Sequence, residues 1–272
     1  MNKFLNILDH IITILFSILL IILIGCLSIL PIAKSKAYYL AEHEKNNVEQ
    51  ILETYSFNGN KHTIVENGEF VTHYHPTYDV TDEDIEFATE KIINYLYHKD
   101  VDSMQFQIQT SEGSIDFFSN QAIVHMEDVK VLFIGGINLC YISIVLFVLS
   151  IIYLIYRRNY IKHYLTKTYI ITVITFLILA IGIIIFAAID FNTAFIVFHY
   201  IIFPDNSKAE LAITFNSCDT LTNVLTGEFF MNIGIIIGIT FVGLLIASIL
   251  ISKLLEKHGN YIISKLKTTF KK

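Results

Sequence analysis

Four long apolar segments limit what this chain can fold into more than any other feature. They cover residues 11–32, 131–156, 169–189 and 229–252, and each exceeds the roughly 18 apolar residues that a helix needs to cross a bilayer. In lipid every backbone polar group needs an internal partner, so each segment is predicted to be a helix. A content of 54% hydrophobic and 16% charged residues agrees with this. The predicted fold class is an all-α membrane protein with four transmembrane helices.

The distribution of charge predicts how the spans are oriented. Residues 157–167 carry four cations and no acid, and residues 253–272 carry six Lys against Glu256. Because Lys and Arg are enriched in short cytoplasmic flanks, both termini are predicted to be cytoplasmic. Residues 34–130 carry 18 acids against seven Lys and are predicted to lie outside. The chain is therefore predicted to be a multi-pass protein of the cell membrane.

The segment between the first two spans is predicted to form a small extracytoplasmic α+β cap. Its helices are predicted over residues 37–55 and 81–97, and the second begins with Thr81 and Asp84 in capping-box spacing. Asn67-Gly68 between two alternating stretches indicates a hairpin, and a second hairpin is predicted from Met104 to Phe117.

The predicted division of the chain follows from these elements. It consists of residues 1–33 with the first span, the cap at 34–118, and residues 119–272 with the other spans, an outer loop at 191–227 and a basic tail. Cys26, Cys140 and Cys218 are predicted to form no disulfide framework, because two lie in spans and one in the outer loop.

Two histidines are predicted at the outer edge of the membrane. If Ser119 or Asn120 caps a helix, His125 and Asp128 share one face of it, about one turn above the hydrocarbon. His199 lies in the apolar run 195–203 at a similar depth after the third span. Ionisable groups at such a depth suggest function, although two interfacial histidines bonded to backbone or lipid phosphate explain the pattern equally well.

Other motifs favour ordinary structure. His73 and His75 share one face of a predicted strand, as metal ligands sometimes do, but no third ligand stands at a suitable spacing. The chain contains no Gly-rich phosphate loop, no Gly-x-Ser-x-Gly elbow and no paired-cysteine metal spacing.

From residue 85 onward the sequence resembles a known family. The segments that carry the resemblance are His125-Met126-Glu127-Asp128-Val129-Lys130, Phe198-His199-Tyr200-Ile201-Ile202-Phe203, and Asp219-Thr220-Leu221 through Glu228-Phe229-Phe230. They are similar to segments of the lipoprotein intramolecular transacylase family, as is the arrangement of four spans with an outer domain after the first.

The resemblance implies a reaction and a set of site residues. The family moves the sn-2 acyl chain of a lipoprotein's diacylglyceryl group to the α-amine of that lipoprotein's own N-terminal cysteine. It implies diacylglyceryl lipoproteins and membrane lipids as partners, and no nucleic acid, cofactor or metal. His125 is expected to be the base and His199 the oxyanion partner, or the reverse, with Asp128, Asp219 and Glu228 in support.

The chemistry suits these residues, and two other functions stay open. The pKa of an α-amine, near 8, lies close enough to that of histidine, near 6.5, for general-base catalysis. One alternative is a membrane-anchored sensor or assembly module that binds a partner through its acidic cap. The other is a metal-dependent membrane hydrolase that uses His73, His75 and His125.

Overall fold

Four long helices carry the apolar segments, as predicted. The computed structural model describes residues 3–59, 61–66, 69–161, 165–203 and 205–269. Within them α1 (Lys3–Ala33), α5 (Asn120–Ile161), α6 (Leu165–Ile189) and α10 (Gly227–Thr269) are long and apolar enough to cross a membrane. The basic residue Lys162 of the predicted cytoplasmic flank lies outside the described residues.

Shorter elements follow α1 and α6. After α1 come α2 (Lys36–Lys45), α3 (Val48–Ile51), a π-helical turn (Leu52–Ser56), β1 (Lys61–Glu66), β2 (Glu69–Tyr74), α4 (Asp82–Tyr97), β3 (Gln107–Thr110) and β4 (Gly113–Asp116). After α6 come α7 (Phe191–Ile202), α8 (Asn206–Ile213) and α9 (Thr220–Val224). The predicted outer loop at 191–227 is thus largely helical.

The chain divides into two compact units. The helical unit comprises Met1–Leu30, Ile137–Ala188 and Ile235–Lys272, and the mixed unit comprises Pro31–Gly136 and Ile189–Gly234. Both predicted site histidines belong to the mixed unit.

The helical unit contains a disulfide that corrects the prediction made from the cysteines. Cys26 of α1 and Cys140 of α5 are bonded, with their Cα atoms 6.3 Å apart, whereas Cys218 of the mixed unit is free and buried. The prediction was wrong because it treated each span separately. Two cysteines in different spans meet when the spans pack side by side.

A buried ion pair also joins α1 to α5. Arg157 donates to both carboxylate oxygens of Asp9, with N to O distances of 3.0 and 2.7 Å, and the Tyr153 hydroxyl donates to Asp9 Oδ1 at 2.7 Å. Asp9 is 1% exposed. Several hydrogen bonds therefore compensate the cost of burying these charges.

In the mixed unit the first predicted helix is broken. Asn47 adopts a left-handed backbone with φ of 52°, between α2 and α3. Asparagine tolerates this conformation better than most residues, so the single helix predicted at 37–55 bends into separate pieces.

The second predicted helix is confirmed. α4 begins after Thr81, whose hydroxyl accepts from the Asp84 amide while the Asp84 carboxylate accepts from the Thr81 amide, which is a complete capping box. The predicted apolar stripe is buried: Ile85, Ala88, Ile92, Tyr95 and Leu96.

Both predicted hairpins are present, each as a two-stranded antiparallel sheet. β1 and β2 pair from Lys61 with Tyr74 to Glu66 with Glu69, and the predicted turn at Asn67 and Gly68 lies outside the described residues. β3 and β4 pair Ile108 with Ile115. The core of the unit reaches from Leu52 and Ile92 to α5, where Ala122 and Met126 are buried in it.

Candidate active site

The start of α5 is fixed by a cap and by the core. The Ser119 hydroxyl accepts from the Ala122 amide at 3.0 Å, so Ser119 is the N-cap, as predicted. Ala122 and Met126, one turn apart, are 0% and 3% exposed. Because these two residues bury one face of the helix, the orientation of the neighbouring His125 is set as well.

His199 is held by α7. Asp190 caps this helix by accepting from the Thr193 amide at 3.0 Å. His199 lies in the last turn and is 5% exposed. Its Nδ1 is 2.7 Å from the Phe195 carbonyl oxygen, one turn earlier. A carbonyl can only accept, so Nδ1 carries the proton, and in the neutral ring Nε2 carries the lone pair.

The structure brings the two histidines together. Their ring centroids are 6.2 Å apart, with the planes inclined by 35°. Within the part of the chain that is described, the His125 ring makes no hydrogen bond, so neither of its nitrogens is committed to a protein partner.

Phenylalanine rings surround the pair. The centroids of Phe203 and Phe215 lie 5.8 and 5.6 Å from that of His125. Phe195, Phe198 and Phe203 lie 4.3, 5.5 and 6.0 Å from His199. We name this set the phenylalanine cage: Phe195, Phe198, Phe203 and Phe215.

Burial keeps His199 neutral. It lowers the pKa of the imidazole, and the hydrogen bond to Phe195 opposes this only in part. A neutral ring with a free Nε2 lone pair is the form that accepts a proton, so the surroundings of His199 suit a general base.

The three predicted supporting acids lie in different surroundings. Asp128 pairs with Lys208 of α8. Asp219 is 7% exposed and caps α9 by accepting from the Leu221 amide at 2.9 Å. It also accepts from the Ser119 hydroxyl, and burial raises its pKa. Asp219 is therefore tied to the cap of the helix that carries His125.

Glu228, the third predicted acid, stands in the first turn of α10 and is exposed. It lines a cavity of about 510 Å³ with Asn46, Asn192 and Thr226. That cavity lies entirely within the mixed unit.

A second cavity, of about 340 Å³, adjoins the phenylalanine cage and was not predicted from the sequence. Its lining includes Phe195 and Phe215, two members of the phenylalanine cage, together with Ile196 and Ile213. The Phe195 and His199 spacing of four residues in an apolar helix is the signal that could have indicated a ring packed on a histidine.

The metal-hydrolase alternative depends on His73, His75 and His125. Among the residues that the structure describes, no group of three or more His, Cys, Asp or Glu side chains is arranged to hold a metal ion. The side chain of His73 lies outside the described part of the chain.

The family model for lipoprotein intramolecular transacylase Lit matches residues 12–230 of the chain. No curated protein sequence matches this chain.

Solved structures of one protein share the fold. The in meso structure of the membrane integral lipoprotein intramolecular transacylase Lit from Bacillus cereus superposes with a TM-score of 0.65 at 19% identity, covering 97% of this chain and 99% of that one. Two variants of the Bacillus cereus protein, with one histidine replaced by arginine or alanine, give TM-scores of 0.62 at 18% identity. They cover 98% of this chain and 96% and 98% of theirs.

Proposed function

This chain belongs to the lipoprotein intramolecular transacylase family, whose model spans residues 12–230, and we propose that His125 and His199 catalyse its acyl transfer. The protein is an acyltransferase of the membrane that acts on lipoproteins. The observation that carries the assignment of the site is the pair of histidine rings 6.2 Å apart inside the phenylalanine cage.

The reaction moves one acyl group within one substrate molecule. The α-amine of the lipoprotein's N-terminal cysteine attacks the carbonyl carbon of the sn-2 ester. A carbon to nitrogen bond forms, the carbon to oxygen bond breaks, and the proton lost by the amine ends on the glyceryl oxygen. The product is an N-acyl, S-monoacylglyceryl lipoprotein. Since both groups belong to one molecule, much of the rate gain comes from holding them together.

His199 acts as the general base. The Phe195 carbonyl holds its proton on Nδ1, which leaves Nε2 to take the proton from the attacking amine. Burial keeps the ring neutral before the reaction. The protonated ring then gives the proton to the leaving glyceryl oxygen.

His125 acts as the oxyanion donor. Its ring has no competing hydrogen bond within the described residues, so a ring N–H is available to the negative charge that develops on the ester oxygen. A cavity is lined by Phe195, which packs on His199, and by Phe215, which packs on His125. We assign the migrating acyl chain to this cavity.

Two of the acids position His125. Asp219 accepts from Ser119, the cap of α5, and so steadies the helix start that carries His125. Asp128 pairs with Lys208 and ties α5 to α8. Both act through contacts with other residues and touch no reacting atom.

The site is proposed to face outward. The cations between the second and third spans favour a cytoplasmic side for that connection, so the mixed unit lies outside, where membrane lipids and diacylglyceryl lipoproteins meet it. Protease added to intact cells should cleave a site inserted after Asp100 and spare one inserted in the tail. Cleavage of the site in the tail, with the site after Asp100 spared, would contradict this orientation.

The function is tested in a host that cannot N-acylate its lipoproteins. Cells expressing this chain should yield N-terminal lipopeptides whose amine is acylated and whose glycerol has lost one chain, as read by mass spectrometry. Lipopeptides with a free amine and two glycerol esters, as in the control cells, would contradict the proposal.

A further inference from the structure

The larger cavity in the mixed unit lies away from the proposed chemistry and has a different lining. Its polar side consists of Asn46, Asn192, Thr226 and Glu228. Asn46 Nδ2 is buried and has no hydrogen-bond partner among the described residues. A buried amide donor without a partner is costly, so Asn46 brings an unused donor to the wall of this cavity.

The remaining polar groups offer both donors and acceptors. Thr226 Oγ1 accepts from the Phe229 amide at 3.2 Å, so its hydroxyl hydrogen is still free to donate. The exposed carboxylate of Glu228 is an acceptor for N–H groups. Such an alternation of donors and acceptors matches a polypeptide backbone, which presents C=O and N–H groups in turn.

The two cavities are linked through one residue. Asn192, in the first turn of α7, lines both of them. The smaller cavity reaches Phe195 and Phe215, which contact the histidines. A substrate with its cysteine at the histidines and its acyl chain in the smaller cavity therefore has the larger cavity beside it, across Asn192.

From this juxtaposition we infer that the larger cavity, with Asn46 and Glu228, binds the polypeptide segment that follows the lipidated cysteine of the substrate. This rests on the proposed function, because a lipoprotein supplies both the acyl groups and the peptide. Asn46 Nδ2 donates to a peptide carbonyl, and Glu228 accepts from a peptide N–H. Glu228 is then a binding residue for the peptide and not a supporting group of the histidines.

The experiment compares two synthetic substrates in detergent with the full chain. One is diacylglyceryl-cysteine followed by four residues, and the other is diacylglyceryl-cysteine methylamide, which lacks the peptide. For the longer substrate, Glu228→Gln and Asn46→Ala should each raise KM about tenfold with little change in kcat. Asn46→Ala removes a donor, and Glu228→Gln removes the negative charge that strengthens the hydrogen bond from the peptide N–H. For the methylamide, both variants should match the wild type.

The matched control is Glu83→Gln. Glu83, like Glu228, is an exposed acid in the first turn of a helix, so it reproduces the loss of a favourable helix-dipole charge. This control should leave KM unchanged for both substrates.

A binding measurement distinguishes the proposed peptide site from the proposed acyl transfer. A fluorescent form of each substrate is titrated into the wild type and the Glu228→Gln variant without following turnover. A wild type that binds the longer substrate more tightly, with the advantage lost in the variant, supports the peptide site even if no acyl group moves. Equal binding of both substrates, or equal losses for both in the variant, would overturn the peptide site and leave the acyl transfer standing.

Discussion

At the scale of single residues, the two histidines differ in what holds them. The Nδ1 proton of His199 is engaged by the Phe195 carbonyl, while the His125 ring is free of such a bond in the described part of the chain. The sequence alone left the two roles interchangeable, because spacing in the chain carries no information on tautomers. The proposed division into base and donor rests on this hydrogen bond of His199.

Glutamine substitutions test this division of roles. An amide can still donate to an oxyanion but cannot accept the amine proton as imidazole does. We therefore expect His125→Gln to retain more activity than His125→Ala, which should lose about 100-fold to 1,000-fold in kcat. His199→Gln should be as inactive as His199→Ala. Rates of lyso-form production, with thermal unfolding as the control for folding, would measure this, and the reverse ranking would exchange the roles.

A third histidine bears on stability and not on the reaction. His43 is 4% exposed, and its Nε2 lies 3.0 Å from Thr89 Oγ1. Because Thr89 donates its own hydrogen to the Ile85 carbonyl, the histidine donates from Nε2. Burial lowers the pKa of His43 to about 4, against a partial opposing effect of Glu42.

Acid should therefore destabilise the protein through His43. The unfolded chain binds this proton near pH 6.5 and the folded chain only near pH 4. The contribution of His43 to the free energy of unfolding is therefore fully present above pH 6.5 and is lost as the pH falls from 6.5 to 4. At pH 5 the loss is about 2 kcal/mol. The free energy of unfolding in detergent should differ less between pH 7.5 and pH 5 for His43→Gln than for the wild type. His98→Gln, at an exposed site, is the control and should behave as the wild type.

At the scale of elements, the patterns within one segment were predicted, except for the break at Asn47, whereas contacts between segments were not. The stripe Ile85 to Leu96 and its capping box follow from spacing along one helix, and both are confirmed. The pairing of Asp128 with Lys208 joins residues 80 positions apart. No local pattern encodes such a pair, and the same holds for Asp219 with Ser119.

The contact between Ser119 and Asp219 is predicted to couple stability to rate. Ser119→Ala removes the cap of α5, worth about 1 kcal/mol, and withdraws a donor from a buried carboxylate. It should also slow acyl transfer, because His125 stands within the second turn of the helix. Chemical unfolding and turnover would both be measured in detergent.

Thr81→Ala provides the comparison for this prediction. It removes an equivalent cap from α4, so it should lower stability by a similar amount while the transfer rate stays at the wild-type level. If Ser119→Ala retained the wild-type rate as well, the contact would have no positioning role.

At the scale of the whole molecule, the helical unit is stabilised by an ion pair and a disulfide that were not predicted from the sequence. Arg157 was counted among the cations that orient the chain, yet it is bound to Asp9 and 8% exposed. The cysteines were set aside because each lies within an apolar run. Which faces of two spans meet depends on packing, and apolar composition alone does not determine it.

The bridge between Cys26 and Cys140 gives a direct test of that packing. A protease site inserted after Asp100, in an exposed turn, divides the chain between the two cysteines. Without reductant the fragments should migrate together on a denaturing gel, and with reductant they should separate. The fragments of Cys26→Ser should separate under both conditions, whereas those of Cys218→Ser should stay joined until reductant is added. Fragments of the wild type that part without reductant would contradict the bridge.

The phenylalanine cage also bears on which nucleophile reacts. A histidine base that deprotonates an amine can activate water in the same way, and water would turn the ester into a free fatty acid. Three phenyl rings pack on His199 and leave few partners for a water molecule near its Nε2, whereas the tethered amine is delivered there by its own substrate. Replacing one ring by a polar side chain would thus shift the partition from aminolysis toward hydrolysis, and so turn a transferase into an esterase.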